Sequence, residues 1–476
     1  MKKVCGIFVL TCFLLGNSAF GKYSPPLATV EPLSPKGIRI SVPDEDGISL
    51  VAFHVKFNED FEGLEAGTIA RDVVRARNGR WTYQDRTTRL RLGDIVYYWV
   101  HVVWDGLAYN LLDQQHRVTE FFNSEDGAKI TPVTRVDSAE NQPCAPTETK
   151  LVDPSTGERK NICSRQILLD EQFHHLNQSI WRGVEKFTGS PDYAFVVYRK
   201  DERNIKCVDG NLRITPTLVQ NEYGDDFIRH GNLTLEGCTE DVGNGECQRE
   251  ARGPYILPPV FSGQINTKKS FAFIYGIIEI RARLPRGDWI YPFISLEALD
   301  QSSHQDAAST HPQLRIASSN GNSVLLGGGG TSGKDFGGRV LCAGPTQTKS
   351  QSTGDSTGKT SSLPRRYSSE LWSKDYHVYE VEWGRDKIRT RVDGIEYGSV
   401  DTKSPFDKPF YLTLGLAVGG HDEFPDLSTS GGYAKPWRNV GAKALFDFFN
   451  ATDLWSRTWN DDSSALKIDY VKISAL

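Results

Sequence analysis

Apolar and polar residues alternate along most of this chain with a period of two, and they do so in two blocks. In the first block the runs "GIRISV" (Gly37 to Val42), "LVAFHVKF" (Leu50 to Phe57), "IVYYWVHVVW" (Ile95 to Trp104) and "HRVTEFF" (His116 to Phe122) are β-branched and aromatic. Turn-forming "PDEDG", "FNED" and "RNGR" separate them. Side chains of a strand repeat every two residues, so this pattern predicts an immunoglobulin-like β-sandwich over residues 22–122. From 123 to 162 the composition turns to Ser, Thr, Pro, Glu and Asn, and "VDPSTGERKN" reads as linker.

The second block, 163–476, alternates again in "DGNLRITPTL", "FIYGIIEIRARL", "YHVYEVEWGRDKIRTRVDGIEYG", "FYLTLGLAVGG" and "ALKIDYVKISAL". Asp393-Gly394 marks a turn between two of its strands. Helical periodicity is scarce; one short helical turn is expected around Ser369, with Glu380 and Glu382 already in strand. Strands without βαβ alternation predict a large sandwich or jelly roll, so the whole chain is all-β. The Ser/Thr/Gly-rich stretch from Pro345 to Pro364 is expected as an exposed loop.

Composition sharpens this picture in two places. A net charge of −5 offers no basic footprint for nucleic acid. Against a single Met stand 10 Trp, 18 Tyr and 23 Phe, residues whose flat faces stack on sugar rings, although most of them are expected in the core.

Residues 1–21 have the basic start, apolar core and Ala19-Phe20-Gly21 ending of a secretory signal peptide. No later run is long enough to span a membrane, so a secreted, extracellular chain is expected. Of its 8 Cys, Cys5 and Cys12 fall in the leader. Cys238 and Cys247 bracket the Gly-rich "CTEDVGNGEC" and form the best local pair; Cys144 with Cys163 would staple the linker, leaving Cys207 with Cys342. Six cysteines admit many other pairings. Asn177, Asn232 and Asn450 head N-glycosylation tripeptides.

Motifs for other chemistry are incomplete on physical grounds. "GGGTSGKD" approaches a phosphate loop, but Asp335 stands where a hydroxyl would hold magnesium, and no helix pattern follows. Neither His304, Asp306 and His311 nor His421, Asp422 and Glu423 has the spacing of a metal site. No cofactor or metal is expected.

The blocks "FAFIYGIIEIRARLPRGDWIYPFI", "YHVYEVEWGRDKIRTRVDG", "FYLTLGLAVGG", "KPWRN" and "LKIDYVKI" resemble glycoside hydrolase family 16 in order and spacing, from about Cys163 to the C-terminus. That family's fold is the β-jelly roll of endo-β-1,3-glucanases. The N-terminal "SPKGIRISVPDEDGISLVAFHVKFNEDFEG" through "WVHVVWDGLAYN" resembles the glucan-binding module of insect β-1,3-glucan recognition proteins, also called Gram-negative-bacteria-binding proteins. Together the two modules resemble that family's architecture. The resemblance implies a non-catalytic, haemolymph pattern-recognition protein of innate immunity. It would bind β-1,3-glucan or another microbial cell-wall polysaccharide and act with a modular serine protease or peptidoglycan-recognition protein in Toll or prophenoloxidase cascades. On the N-terminal module it points to Asp72, Trp99 and Tyr109 as glucan-binding candidates, with Trp81 and Trp104 behind them: rings for stacking and a carboxylate for hydroxyls.

Active members of the glucanase family carry Glu-x-Asp-x-(x)-Glu on one strand. One carboxylate attacks while another, about 5 Å away, protonates the leaving oxygen. The corresponding stretch here is "HPQLRIASSNGN", whose ending sets Gln313 at the nucleophile, Arg315 at the assisting Asp and Ser318 at the acid/base. An amide and a hydroxyl cannot take those roles, and a fixed cation opposes an oxocarbenium ion. Ser295 stands where the enzymes have a cleft ring, and Cys342-Ala343 replace His-Trp. Glu297 and Asp300 are expected to be solvated surface carboxylates. Two competing readings are an active endo-β-1,3-glucanase, which needs a carboxylate pair elsewhere, and an adaptor whose jelly roll binds protein.

Overall fold

The computed structural model describes residues 23–34, 36–90, 93–123, 129–130, 144–189, 193–240, 245–299, 310–329, 332–349 and 363–476. The chain divides into two compact units, 1–142 and 143–476. The leader and Asp300 lie outside the described residues, as do His304 and Asp306.

The first unit pairs two sheets. One runs in the order Arg80–Asp85, Ile38–Pro43, Thr29–Ser34, Phe121–Asn123, Lys129–Ile130; the other runs Ile69–Val73, Ile48–Phe57, Ile95–Trp104, Leu107–Arg117. Alternate residues of each strand meet in one core: Ile38, Ile40 and Val42 from one sheet, and Val51, Phe53, Val55, Val96, Val100 and Val102 from the other. Trp104 and Leu107 close a hairpin over Asp105 (φ 46°) and Gly106 (φ 77°), the positive-φ pair that a tight two-residue turn requires. A register shift between Tyr98 and Val100, opposite Gln114 and Leu111, leaves Asp113 at φ 55°.

The second unit is a jelly roll of two large sheets. The longer has the path Arg159–Asn161, Lys150–Val152, Ala272–Ile274, Phe410–Val418, Ile290–Ala298, Thr310–Ser318, Val340–Lys349, Arg365–Tyr367. The opposing sheet runs Ile205–Val208, Asn211–Ile214, Leu466–Ser474, Gly276–Arg283, His377–Trp383, Lys387–Val392, Ile395–Asp401. Period-two residues such as Ile278, Ile280, Leu412, Leu414 and Leu416 fill the space between them. Trp181, Trp289, Trp383, Trp437 and Trp455 are fully buried, so much of the aromatic excess is core.

Three expectations need correction. Residues 144–162 are not a linker but the edge of this sheet: Lys150 pairs with Ile274 on one side and Asn161 on the other. "VDPSTGERKN" is the turn of that hairpin, with Asp153 Oδ1 accepting from the Ser155 backbone at 2.8 Å. Two three-residue, charged strands are too short for alternation to show. Likewise, Pro345 to Lys349 pair with Thr310 to Leu314 instead of looping out. Their polar side chains disguised the strand. The helical turn expected near Ser369 is a non-helical turn.

Disulfides join Cys144 to Cys163 and Cys238 to Cys247. Cys207 and Cys342, paired above only by elimination, are not bonded to each other. They lie in strands of the two different sheets, and pairing by remainder carries no geometry. Burial pushes the Cys207 thiol up to about 11.

Candidate functional site

On the longer sheet of the jelly roll, the face turned away from the core is built from alternate residues of adjacent strands. Tyr411, Glu297, Gln313 and Thr346 form one cross-strand row; Thr413, Ser295, Arg315 and Gly344 form the next. A register shift between Arg315 and Ser318 returns Ser318 to the side of Arg315, whose Nη1 donates to the Ser318 hydroxyl at 3.0 Å. The structure therefore brings Gln313, Arg315 and Ser318 together on one face, each buried.

Arg315 occupies the centre of this face. Its guanidinium meets Glu423 through two parallel bonds, Nη1 to Oε1 at 3.0 Å and Nη2 to Oε2 at 2.7 Å, with both side chains about 95% covered (5% and 4% exposed). Burying a lone cation is costly, and a bidentate carboxylate is the partner that offsets it best. Glu423 stands on the segment after the Phe410–Val418 strand, which leaves the sheet through Gly419 (φ 63°) and Gly420 (φ 96°). Lys435 anchors that segment. Its ammonium donates to the Phe424 carbonyl at 3.0 Å, to Asp426 at 2.8 Å and to Asn439. Burial pulls Lys435 down to about 8 against the pull of Asp426.

Glu297 is the main correction at this site. It is not a solvated surface group: it lies in the concave face directly across from Gln313 and accepts from the Thr413 hydroxyl at 2.5 Å. Burial, with the Glu297 charge beside it, holds the Tyr411 phenol well above its ordinary range. Period-two spacing from Ser295, already placed in the cleft, carries the signal that was missed. Tyr291 and Phe293 share that spacing and line the same cavity, with Asn266 and Tyr411. Glu423, considered before only with His421 and Asp422 as a metal ligand, is committed to Arg315 on both oxygens. No group of His, Cys, Asp or Glu among the described residues is arranged to hold a metal.

The five candidates of the N-terminal unit do not form one cluster. Asp72 is exposed on the outer face of its sheet, paired with Ala52. Trp99 shares that outer face but is 8% exposed, stacked on His54 with centroids 3.7 Å apart and donating to the Glu65 carbonyl at 3.0 Å. Trp104 and Tyr109 lie on the opposite side, by the hairpin end. There Tyr23 stacks on Trp104 at 4.5 Å, and Tyr109 meets Tyr23 edge-on at 5.1 Å. Trp81 is in the core, 4% exposed, and donates to Asp44 at 2.7 Å. The expectation of exposed rings is thus corrected at Trp81 and Trp99. In an alternating strand an aromatic ring can be covered on either face, here by the core and by the segment carrying Glu65.

Asn232 and Asn450 are exposed and Asn177 is half-buried; the Asn177 Oδ1 accepts from the Ser179 hydroxyl at 2.7 Å. No helix among the described residues is long and apolar enough to cross a membrane.

Residues 24–141 match the model of CBM39, a carbohydrate binding domain (family 32). The chain is similar over its whole length to β-1,3-glucan-binding protein 1 of Galleria mellonella, at 36% identity over 522 residues and 100% of both chains. It is 34% identical to the β-1,3-glucan-binding protein of Tenebrio molitor, over 99% of this chain and 100% of that one. Gram-negative bacteria-binding protein 1 of Drosophila melanogaster is also 34% identical, over 99% of each. These relatives carry the names of binding proteins, not of hydrolases. Among solved structures, the laminarinase catalytic domain of Thermotoga maritima covers 65% of this chain and 98% of its own, at 19% identity and a TM-score of 0.41.

Proposed function

Because the chain belongs to the family of β-1,3-glucan-binding and Gram-negative bacteria-binding proteins, we propose that it is a secreted recognition protein. It binds β-1,3-glucan or a related microbial surface polysaccharide and does not cleave it. The observation that supports the second clause is the buried Arg315, bonded to Glu423 and Ser318, in the stretch that the resemblance aligns with the enzymes' carboxylates. A retaining reaction needs two carboxylates about 5 Å apart, one of them able to hold a proton for the leaving group. Here the carboxylate of Glu423 is neutralised by the guanidinium, and Gln313 offers an amide in place of a nucleophile.

Binding is assigned to the N-terminal unit. Trp104 and Tyr109, with Tyr23, supply partly exposed rings; Asp72 on the outer face supplies a carboxylate, with Trp99 behind it and Trp81 supporting from the core. The resemblance adds haemolymph as the compartment and a modular serine protease or peptidoglycan-recognition protein as partner.

Glu297, a carboxylate facing the cleft, favours one competing reading, hydrolysis through a displaced site. One assay separates the two. Purified chain incubated with laminarin is expected to release no reducing sugar while being retained on insoluble curdlan. Turnover that survives re-purification and disappears in Glu297→Gln overturns the non-catalytic reading; loss of curdlan retention overturns the binding one.

A further inference from the structure

A second cavity of the jelly roll, of about 500 Å³, includes Arg182 and Gly183 in its wall. Leu176, Ile180 and Ile205 give it apolar surface, and Gln178, Ser179 and Ser270 give it neutral polar atoms. Two of its three cations direct their charge elsewhere. The Lys200 ammonium donates to the Gly237 carbonyl at 3.0 Å and stands 3.8 Å from Glu185, and Arg182 reaches the Thr239 carbonyl at 3.5 Å. The third, Lys269, is exposed. Apolar surface interrupted by neutral donors and acceptors suits a sugar better than an ion. A glycosylation tripeptide borders this cavity: Gln178 and Ser179, which line it, follow Asn177. Asn177 Oδ1 accepts from the Ser179 hydroxyl at 2.7 Å and from the Ser179 backbone N–H at 3.1 Å. The Asn177 carboxamide is therefore fixed one hydrogen bond from a lining residue. Its Nδ2, the atom to which an N-glycan is joined, donates to no group among the described residues.

We propose that Asn177 carries an N-glycan whose first sugars lie back in this cavity, so that the chain's own modification fills it. The inference rests on the secreted reading above and is independent of what the protein recognises. Attachment takes place on the unfolded chain, before Asn177 becomes half-buried. Nδ2 loses a proton and bonds to the anomeric carbon of a lipid-pyrophosphate-linked oligosaccharide; the anomeric C–O bond breaks, and the lipid pyrophosphate leaves with the electron pair. The occupant follows from covalent reach, because a sugar on Nδ2 begins beside the Ser179 hydroxyl. Leu176 and Ile180 meet the C–H faces of its rings, while Gln178, Ser270 and Lys269 meet hydroxyl and N-acetyl groups. The consequence is mechanical. Arg182 and Gly183 pair with Asn266 and Ile265, and Gln264 and Asn266 line the cavity beside Gln313, so the seated glycan braces one wall of the cleft. Asn232 and Asn450 are exposed, and neither of their tripeptides lines the glycan's cavity.

The test uses the full chain secreted from insect cells with its own leader. Peptide mapping after peptide-N-glycosidase F treatment in isotopically labelled water reports occupancy and release at each Asn separately. A seated glycan is open to the glycosidase only when it leaves the cavity. Native release at Asn177 should therefore be about tenfold slower, or more, than from a chain unfolded beforehand, with a smaller difference at any occupied Asn232 or Asn450. Lys269→Trp sets a ring into the cavity from an exposed position and should speed native release at Asn177; simple burial of the Asn177 side chain would leave it slow. Asn177→Gln, which removes the glycan, should raise amide exchange across residues 176–183 by about tenfold, and Ser179→Thr, which keeps the tripeptide, should not. An empty Asn177 in secreted protein, native release as fast as from the unfolded chain, or unchanged slow release in Lys269→Trp overturns the proposal. Unchanged exchange in Asn177→Gln overturns it without reference to the Lys269 variant. A chain bare at all three tripeptides and retained in the cytosol overturns the secreted reading as well.

Discussion

In the N-terminal sandwich the candidate ligand groups sit at a hairpin end and on an outer sheet face, joined by ring contacts and single hydrogen bonds. In the jelly roll they line the middle of a concave sheet, and the central one is locked by a buried ion pair. Tyr23, Trp104 and Tyr109 touch through their faces and edges. Arg315 is bonded to both Glu423 and Ser318 through its guanidinium, with almost no solvent access. The first arrangement leaves partly exposed ring surface; the second holds its central side chains in a buried ion pair. Both units alternate with the same period, so the difference lies in what the outward residues are, not in the backbone that presents them.

The largest effect should come from breaking that lock on one side only. Glu423→Ala leaves a buried guanidinium without its carboxylate, and removal of one partner of such a pair typically costs about 3–5 kcal/mol. A lowered midpoint confined to the jelly-roll unfolding transition in calorimetry is the expected result. Arg315→Leu with Glu423→Leu should cost far less, because both desolvated charges go together. Equal losses in the single and double variants would show that the pair matters as packing, not as charge. The same reasoning complicates any restored active site. Gln313→Glu, Arg315→Asp, Ser318→Glu would set new carboxylates against an unpaired Glu423. Like charges held close resist joint ionisation, so this triple variant should be destabilised and remain without laminarin turnover until Glu423 is also replaced.

How much of this was written in the alternation differs between the two regions. That Gln313, Arg315 and Ser318 share a face follows from period two plus one bulge, and the facing strands follow in the same way. Glu297 is equally legible, two residues from Ser295, although the usual solvation of carboxylates argues for the surface. Glu423 was not legible. It lies 108 residues from Arg315, and only tertiary folding brings a charge on a Gly-Gly exit loop over the sheet. In the N-terminal unit, alternation tells which side of a strand a ring takes but not whether that side is covered. Trp99 points outward and is nonetheless buried under the segment that carries Glu65.

An effect of intermediate size is expected at the rings of the sandwich. Trp104→Ala should weaken glucan binding by about 1–3 kcal/mol, on the scale measured for rings that stack on planar ligands. Trp99→Ala removes a ring that is buried, unlike the partly exposed Trp104, and should chiefly lower the stability of the sandwich and leave affinity nearly intact. Affinity electrophoresis in laminarin, with urea unfolding of each variant, separates the two effects. A folded Trp99→Ala that no longer binds would move the site to the outer face with Asp72.

The smallest effect concerns Lys435, which ties down the segment that carries Glu423. Its ammonium is completely covered, and burial brings it from an ordinary 10.5 to about 8 in the folded chain. Between those two values the unfolded chain holds the proton more often than the folded one. Unfolding then takes up protons, so the contribution of this group to stability rises with pH across the window; below 8 and above 10.5 it is flat. From pH 8 to pH 9 the gain amounts to about 1 kcal/mol, given about 1.4 kcal/mol per fully unmatched proton and pH unit. Other groups titrate in the same range, so the quantity to measure is the difference between wild type and Lys435→Met, a neutral side chain of similar length. If that difference rises from pH 8 to 9, the segment behind the ion pair is held by an ammonium that folding strains. A flat difference would mean that Asp426 and Asn439 stabilise the charged form as well as water does.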